Sequence, residues 1–463
     1  MAAFTMMMGY VFWDIVSPLS TTLKAPISEG GMGWTAAEYG FYAGSYSIFN
    51  IFLLMLFFGG IILDKCGIRI TGLLATGMMF VGALINWYAV SHVSPLLYTT
   101  HSITLFGLVP SHLKTQVLIA AMGFGMFGVG CDITGITVSK IITKWFSGHE
   151  LASAMGVQVA MARLGTASAI SLSPVIAQSY GLSAPLFLGA VLLFIGFTMF
   201  VIYLTLDKKR TAGCIATTPN PSYQQEGTTE GQRKEVNESS FSFRDFVKVL
   251  RNPGFWIIAL LCVFFYSSIR PFMKFTTDLL INKYGVEAIT AGWITAILPY
   301  GTIVLTPLFG NLYDRIGRGA TLMFIGCVVV AICHLLLALP TTSHFHVLAS
   351  HPAFAIVIMV FFGIAFSLVP SAMWPTVPKI VPINQLGTAY SIIYYVQNIG
   401  LMLTPMLIGN IIDKNTGETI NYTPAMTIFA LFAIVAAVIA LLLLRSDRRH
   451  NYGIEKPNIQ NRD

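Results

Sequence analysis

Gly60-Ile-Ile-Leu-Asp64-Lys-Cys-Gly67-Ile-Arg69 lies between two long apolar runs, and a looser copy, Gly310-Asn-Leu-Tyr-Asp314-Arg-Ile-Gly317-Arg318, lies between two others 250 residues later. Each copy reads as a tight loop joining membrane helices. The first glycine is expected to let another helix approach, and the aspartate to sit at the positive N-terminus of the next helix. The second glycine is expected to permit the turn. Gly60, Asp64, Gly67 and Arg69 in one copy, and Gly310, Asp314, Gly317 and Arg318 in the other, are therefore candidate gating-loop residues.

Outward from these loops the chain is apolar. Of 463 residues 55% are hydrophobic and only 10% charged, with a mean hydropathy of +0.72. A soluble domain carries about 25% charged residues, so an ordinary soluble protein is excluded. A helix of about 20 apolar residues spans a bilayer. Twelve such runs follow one another: Phe4 to Leu23, Ala37 to Leu63, Ile70 to Val90, Val117 to Val138, Ala152 to Ala177, Ala184 to Leu204, Phe255 to Phe275, Ala288 to Leu308, Ala320 to Leu339, Ala353 to Met373, Leu386 to Ile412 and Pro424 to Leu444. No basic region precedes the first run and no small-residue cleavage site follows it, so it reads as a retained span.

Residues 207–252 form the one long polar stretch and are expected to be a cytosolic linker between six-helix halves at 1–206 and 253–445, with a tail at 446–463. The linker's ending, Phe241 to Leu250, is a candidate surface helix. Lysine and arginine gather on one side, at Lys65, Arg69, Lys144, the linker, Arg315, Arg318, Lys379 and the tail. The other side carries little more than Lys24, Lys114, Lys274, Lys283 and Lys414. Both termini are thus expected in the cytosol. This clustering in loops also accounts for the net charge of +7 without nucleic acid as a partner.

The six cysteines show neither a disulfide framework nor zinc spacing, and no cofactor motif, metal cluster or nucleophile arrangement appears at membrane depth. The chain reads as a non-enzyme with no cofactor or metal. Its partners are membrane lipid and a small-molecule substrate, with an accessory subunit left open.

A charge at the bilayer centre costs at least about 2.5 kcal/mol, so each one requires a partner or a purpose. Asp14, Asp132, Arg163 and Arg270 stand out. At about 1.5 Å per residue, Asp14, Asp132 and Arg163 fall at similar depths, roughly 12 to 18 Å from the cytosolic ends of spans 1, 4 and 5. Arg270 lies about 22 Å into span 7. Two acids and two bases facing one cavity suit a zwitterion, since arginine holds a carboxylate with two parallel hydrogen bonds and aspartate holds an ammonium. The competing arrangement pairs Asp132 with Arg163. Gln397 and Asn398 join the candidate substrate-binding set, with Tyr46, Tyr266, Trp374 and Tyr394 among weaker aromatic candidates. His334, alone in an apolar span, reads as a core histidine in preference to a proton relay.

The duplicated loops resemble the cytosolic signature of the major facilitator superfamily, an all-α membrane fold of twelve helices in two pseudo-symmetric halves. A second trace of duplication matches His149-Glu150-Leu151 and Arg163-Leu164-Gly165 with Asn384-Gln385-Leu386 and Asn398-Ile399-Gly400. Trp374-Pro375, Val381 to Tyr390, Gln397 to Leu401 and Met161 to Gly165 resemble the lysosomal dipeptide transporter group and its microbial relatives. That resemblance implies a dipeptide uniporter working by alternating access, with Asp132 receiving the substrate's amine and Arg163 its carboxylate. Asp14 takes the place of an aspartate in the group's first span. The chain departs from the group in having an aspartate at 132 where a glutamate is usual, and a charge at Arg270 where an apolar residue is usual. It also starts almost at span 1, which favours a bacterial inner membrane over a lysosomal one. A proton-coupled or exchange carrier of small carboxylates, and a membrane-embedded sensor or scaffold, are the rival readings.

Overall fold

The computed structural model describes residues 1–100, 105, 107–146, 151–217, 248–340, 351–382, 385–417 and 419–458, and for 56–58, 60, 61, 64, 65, 151–153, 209–217 and 387 the backbone alone. His149, Glu150, Asn384, most of the linker and most of the candidate helix at 241–250 lie outside the described residues.

Span 1 is a helix in two pieces, α1 (Ala2–Asp14) and α2 (Ser20–Lys24), joined by a 3-10 turn at Ser17–Leu19. Pro18 lies in that turn, where its missing N–H removes a rung of the helical ladder. Span 2 is broken further. It comprises α3 (Ala36–Ser45), α4 (Ile48–Phe52) and the first part of α5 (Met55–His92). Leu54 separates the last two in a left-handed conformation with φ of 49°. Gly67, with φ of 75°, kinks α5 where the loop signature required a turn.

A hairpin of β1 (Tyr98–Thr100) and β2 (His112–Lys114) follows, in antiparallel register with Thr99 opposite Leu113. The remaining helices are α6 (Thr115–Phe146), α7 (Leu151–Tyr180), α8 (Ala184–Thr217), α9 (Pro253–Tyr284), α10 (Ala288–Ile316), α11 (Gly319–Ala338), α12 (Pro352–Ile380), α13 (Leu386–Lys414) and α14 (Thr423–His450). Among the described residues eleven spans are long and apolar enough to cross a membrane. The interrupted second span makes the expected twelve. The helix of span 6 runs to Thr217, past Asp207 where the linker was expected to begin.

The two halves meet mainly through α3 against α13, α7 against α10, and the 3-10 turn with α2 against α9. At the bundle end remote from the termini, a Cβ on Gly40 would lie 2.3 Å from the Pro405 carbonyl oxygen, and one on Gly409 2.3 Å from that of Ala36. Only glycine permits α3 and α13 to approach so closely. At the same far end Lys24 of α2 pairs with Asp278 of α9 at 2.5 Å, and Ala36 donates its N–H to Asp413 of α13 at 3.1 Å.

At the near end, which carries the termini, the chain after α14 folds back over the loop between α10 and α11. Glu455 accepts hydrogen bonds from the backbone N–H groups of Ala320 and Thr321 at 2.8 and 3.1 Å and from the Thr321 hydroxyl at 2.8 Å. The anionic cap of α11 is therefore Glu455, not Asp314 as the loop signature suggested. Asp314 instead accepts from the Asn458 side chain at 2.7 Å. Gly310 differs from expectation as well, since a Cβ there would meet nothing within 4 Å. Gly317 has φ of 66°, and a Cβ there would lie 2.5 Å from the Glu455 carbonyl oxygen. Arg318 is the N-cap residue of α11, and Arg69 is exposed. Gly60 and Asp64 lie in α5 at positions described by backbone alone.

Candidate functional site

α1 ends at Asp14, and the turn that follows leaves this carboxylate facing α9. Arg270 and Lys274 stand four residues apart on α9, one turn from each other on one face. Lys274 donates to Asp14 Oδ1 at 2.7 Å and to the Trp13 carbonyl at 2.6 Å. Arg270 Nη1 lies 3.9 Å from Asp14 Oδ2, beyond hydrogen-bond reach. That oxygen is buried and without a hydrogen bond.

Lys274, expected at the outer end of span 7 among the lysines of that side, requires a correction. It is buried inside α9, held there by a carboxylate from the other half of the molecule. Lys24, Lys114 and Lys283 of that side also have partners. Lys114 pairs with Glu38 at 3.0 Å, and Lys283 donates to the Leu337 and Leu339 carbonyls.

Asp132, on α6, is held from span 2. The Tyr46 hydroxyl donates to Oδ1 at 2.7 Å and the Asn50 amide to Oδ2 at 2.6 Å. The break between α3 and α4 places these two donors, four residues apart, on either side of a carboxylate. Asp132 therefore does not pair with Arg163. Among the described residues Arg163 has no hydrogen-bond or ion-pair partner, and its guanidinium lies over the ring of Phe366, on α12, with Cζ 4.9 Å from the centroid.

Aromatic rings connect these charges across the seam between the halves. Tyr46 stacks on Trp13 with centroids 4.2 Å apart and planes within 5°. Arg270 covers the other ring system, its Cζ 4.8 Å from Trp13 and 6.0 Å from Phe366. The Phe366 ring is thus shared by an arginine from each half. A small cavity is lined by Trp13, Asp14, Tyr46, Ser47, Arg270 and Lys274, with Ala43, Pro271, Leu401 and Pro405 completing it; of the four charges expected to face one cavity, Asp14 and Arg270 line it and Asp132 and Arg163 do not.

Gln397 and Asn398 lie at the edge of this arrangement. Asn398 accepts from the Ser47 hydroxyl at 2.6 Å and so ties α13 to span 2, while Gln397 accepts from the Cys262 thiol at 3.6 Å. Of the weaker aromatic candidates, Tyr266 accepts from the Trp374 indole at 3.3 Å, and Tyr394 packs on Trp374 with centroids 5.1 Å apart. His334 bonds the Ser268 carbonyl at 2.9 Å and is packed among Phe272, Phe362 and Phe429, a core position.

Lys274, Trp13, Asn50 and Phe366 were missed in the sequence reading. The spacing of Lys274 from Arg270 was the available signal, since a membrane helix carrying one buried cation offers its next turn to the same partner.

Comparison with known proteins agrees with this architecture. The family model described as Major Facilitator Superfamily matches residues 1–281 and 272–460. The lysosomal dipeptide transporter MFSD1 of Danio rerio is 26% identical over 404 residues, covering 85% of this chain and 75% of its own length. The protein of the same name in Homo sapiens is 26% identical over 309 residues, and the match spans 63% of this chain and 59% of that protein. The hexuronate transporter of Bacillus subtilis is 21% identical over 92% of this chain and 90% of its own. Among solved structures, the inward open conformation of the xylose transporter XylE from E. coli superposes with a TM-score of 0.70, at 14% identity, over 96% of this chain and 94% of that one.

Proposed function

Because the chain belongs to the major facilitator superfamily, we propose that this multi-pass membrane transporter carries dipeptides as a uniporter, by alternating access, with both termini in the cytosol. The observation that carries this reading is the contrast between Asp132 and Arg163. Asp132 is oriented by two donors from span 2, while Arg163 offers its fork of N–H groups to no protein acceptor among the described residues. An embedded guanidinium without an acceptor is costly, and a ligand carboxylate removes that cost with two parallel hydrogen bonds. In a zwitterion so held, the ammonium falls to Asp132, whose carboxylate Tyr46 and Asn50 already orient. The names of the MFSD1 relatives support the substrate class.

The site lies where the two halves meet, as expected for a transporter that exposes one midplane site to each side in turn. Rocking the halves breaks the seam contacts at the far end and forms others at the near end.

The test is thermal stabilisation of the purified protein by dipeptides, free amino acids, small dicarboxylates and sugars, repeated on Asp132→Asn and Arg163→Ala. A ligand at a hundredfold excess over its Kd stabilises the folded state by about 2.7 kcal/mol. Stabilisation by dipeptides that both substitutions remove is the expected result. Stabilisation only by dicarboxylates, unaffected by Asp132→Asn, overturns the reading. In liposomes a uniporter equilibrates substrate without a pH gradient, and uptake that requires one excludes uniport.

A further inference from the structure

Arg270 is only loosely held among the embedded charges, its one ionic contact being the Asp14 carboxylate at 3.9 Å. Its side chain is 11% exposed, and it makes no hydrogen bond among the described residues. Its nearest carboxylate oxygen, Asp14 Oδ2, stays at 3.9 Å, while Asp14 Oδ1 is taken by Lys274. The ring faces of Trp13 and Phe366 flank the guanidinium but supply no acceptor. The site thus holds Arg163, Arg270 and Lys274 against Asp14 and Asp132, and a bound zwitterion adds no net charge to that surplus.

We infer that Arg270 is a specificity-determining residue that receives a second carboxylate, so that the favoured substrates are dipeptides with an acidic residue at their C-terminal position. This rests on the dipeptide reading above. The position follows from the shared ring. Arg163 and Arg270 lie 4.9 and 6.0 Å from the centroid of Phe366, hence at most about 11 Å apart, on opposite halves. The α-carboxylate and side-chain carboxylate of one residue, each in a forked bond with its own guanidinium, span such a separation. Ligand binding then also joins the two halves through one residue of the substrate, where the protein alone offers two like charges around one ring.

The experiment measures the affinities of the purified full chain for Ala-Glu and Ala-Gln, which have nearly the same shape and differ in charge, with succinate as a free dicarboxylate. Ala-Glu is expected to bind on the order of tenfold more tightly than Ala-Gln, since hydrogen bonds to charged groups are worth more than neutral ones. In Arg270→Gln that ratio is expected to fall towards one, and Arg270→Lys is expected to retain part of it. The wild-type comparison stands even if a variant fails to fold. Equal affinity for Ala-Glu and Ala-Gln overturns the role of Arg270 and leaves the dipeptide reading in place. A preference that survives in Arg270→Gln likewise overturns it. Binding of succinate but of neither dipeptide overturns both, and so does binding of none of the three.

Discussion

Lys274 of α9 crosses the seam between the halves and donates to the Asp14 carboxylate at 2.7 Å, with both side chains almost wholly buried. Breaking such a pair from one side strands a charge, and the cost exceeds what the intact pair contributes. Asp14→Asn is expected to lower stability by about 3 to 5 kcal/mol. The double variant Asp14→Asn with Lys274→Met is expected to recover a large part of it. Thermal unfolding of the purified variants checks this, and an Asp14→Asn protein as stable as wild type refutes it.

At the far end Asp278 gathers Lys24 at 2.5 Å, Thr21 at 2.8 Å and Tyr422 at 2.6 Å. The first two come from the opposite half, so they must separate when that end opens. Lys24→Ala is expected to shift the balance between states roughly tenfold for each 1.4 kcal/mol of lost seam energy, towards the state open at that end. Spin labels at Glu29→Cys and Lys414→Cys, both exposed at that end, measure the shift. An unchanged distance distribution counts against it.

The α3–α13 contact gives a different kind of variant. Gly40→Val puts a branched side chain where even a Cβ would lie 2.3 Å from the Pro405 carbonyl oxygen. The halves are then held apart at one end, and a transporter that cannot close that end cannot complete its cycle. Counterflow of whichever solute stabilises the wild-type protein is expected to fall by on the order of tenfold or more in liposomes, while ligand stabilisation in detergent persists. Counterflow at the wild-type rate would remove the contact from the transport cycle.

Glu455 caps α11 from outside the helix, satisfying two of its unpaired N–H groups. Glu455→Ala is expected to cost about 0.5 to 2 kcal/mol, the usual worth of a cap, and Glu455→Gln less. Gly317→Ala is expected to be worse, combining a left-handed φ with a clash against the segment that carries Glu455. Thermal unfolding ranks the three, and an order in which Gly317→Ala is the mildest would contradict the packing.

The parts of the fold that depend on local composition were legible in the chain. Apolar runs of span length, turns at Gly67 and Gly317, and the recurrence of the loop after 250 residues all follow from neighbouring residues, whereas the close helix approach expected at Gly310 does not occur. Asp14 and Arg270 were legible as embedded charges in need of partners. Lys274 was not, because the apolar run of span 7 stops beside it and its partner lies 260 residues away. The same holds for the break in span 2, where no proline marks the site. Tyr46 and Ser47 are turned by contacts with Asp132 and Asn398, which no local pattern encodes. The cap on α11 was assigned to the nearest acid, Asp314, since sequence proximity does not show which carboxylate a folded-back segment will deliver.

The strap that carries Glu455 also has a consequence for biosynthesis. Its carboxylate reaches an amide 135 residues earlier in the chain. At about 5 to 20 residues per second, α11 leaves the ribosome on the order of ten seconds before its cap does. During that interval its first turn has no anionic partner from the protein, and water at the membrane surface must serve in its place. The second half therefore inserts with an unfinished corner, and the strap closes it after the last span is in the bilayer. A fusion or tag joined directly after Asn458 draws on the same few residues, and it is expected to depress folded yield more than one joined through a flexible spacer.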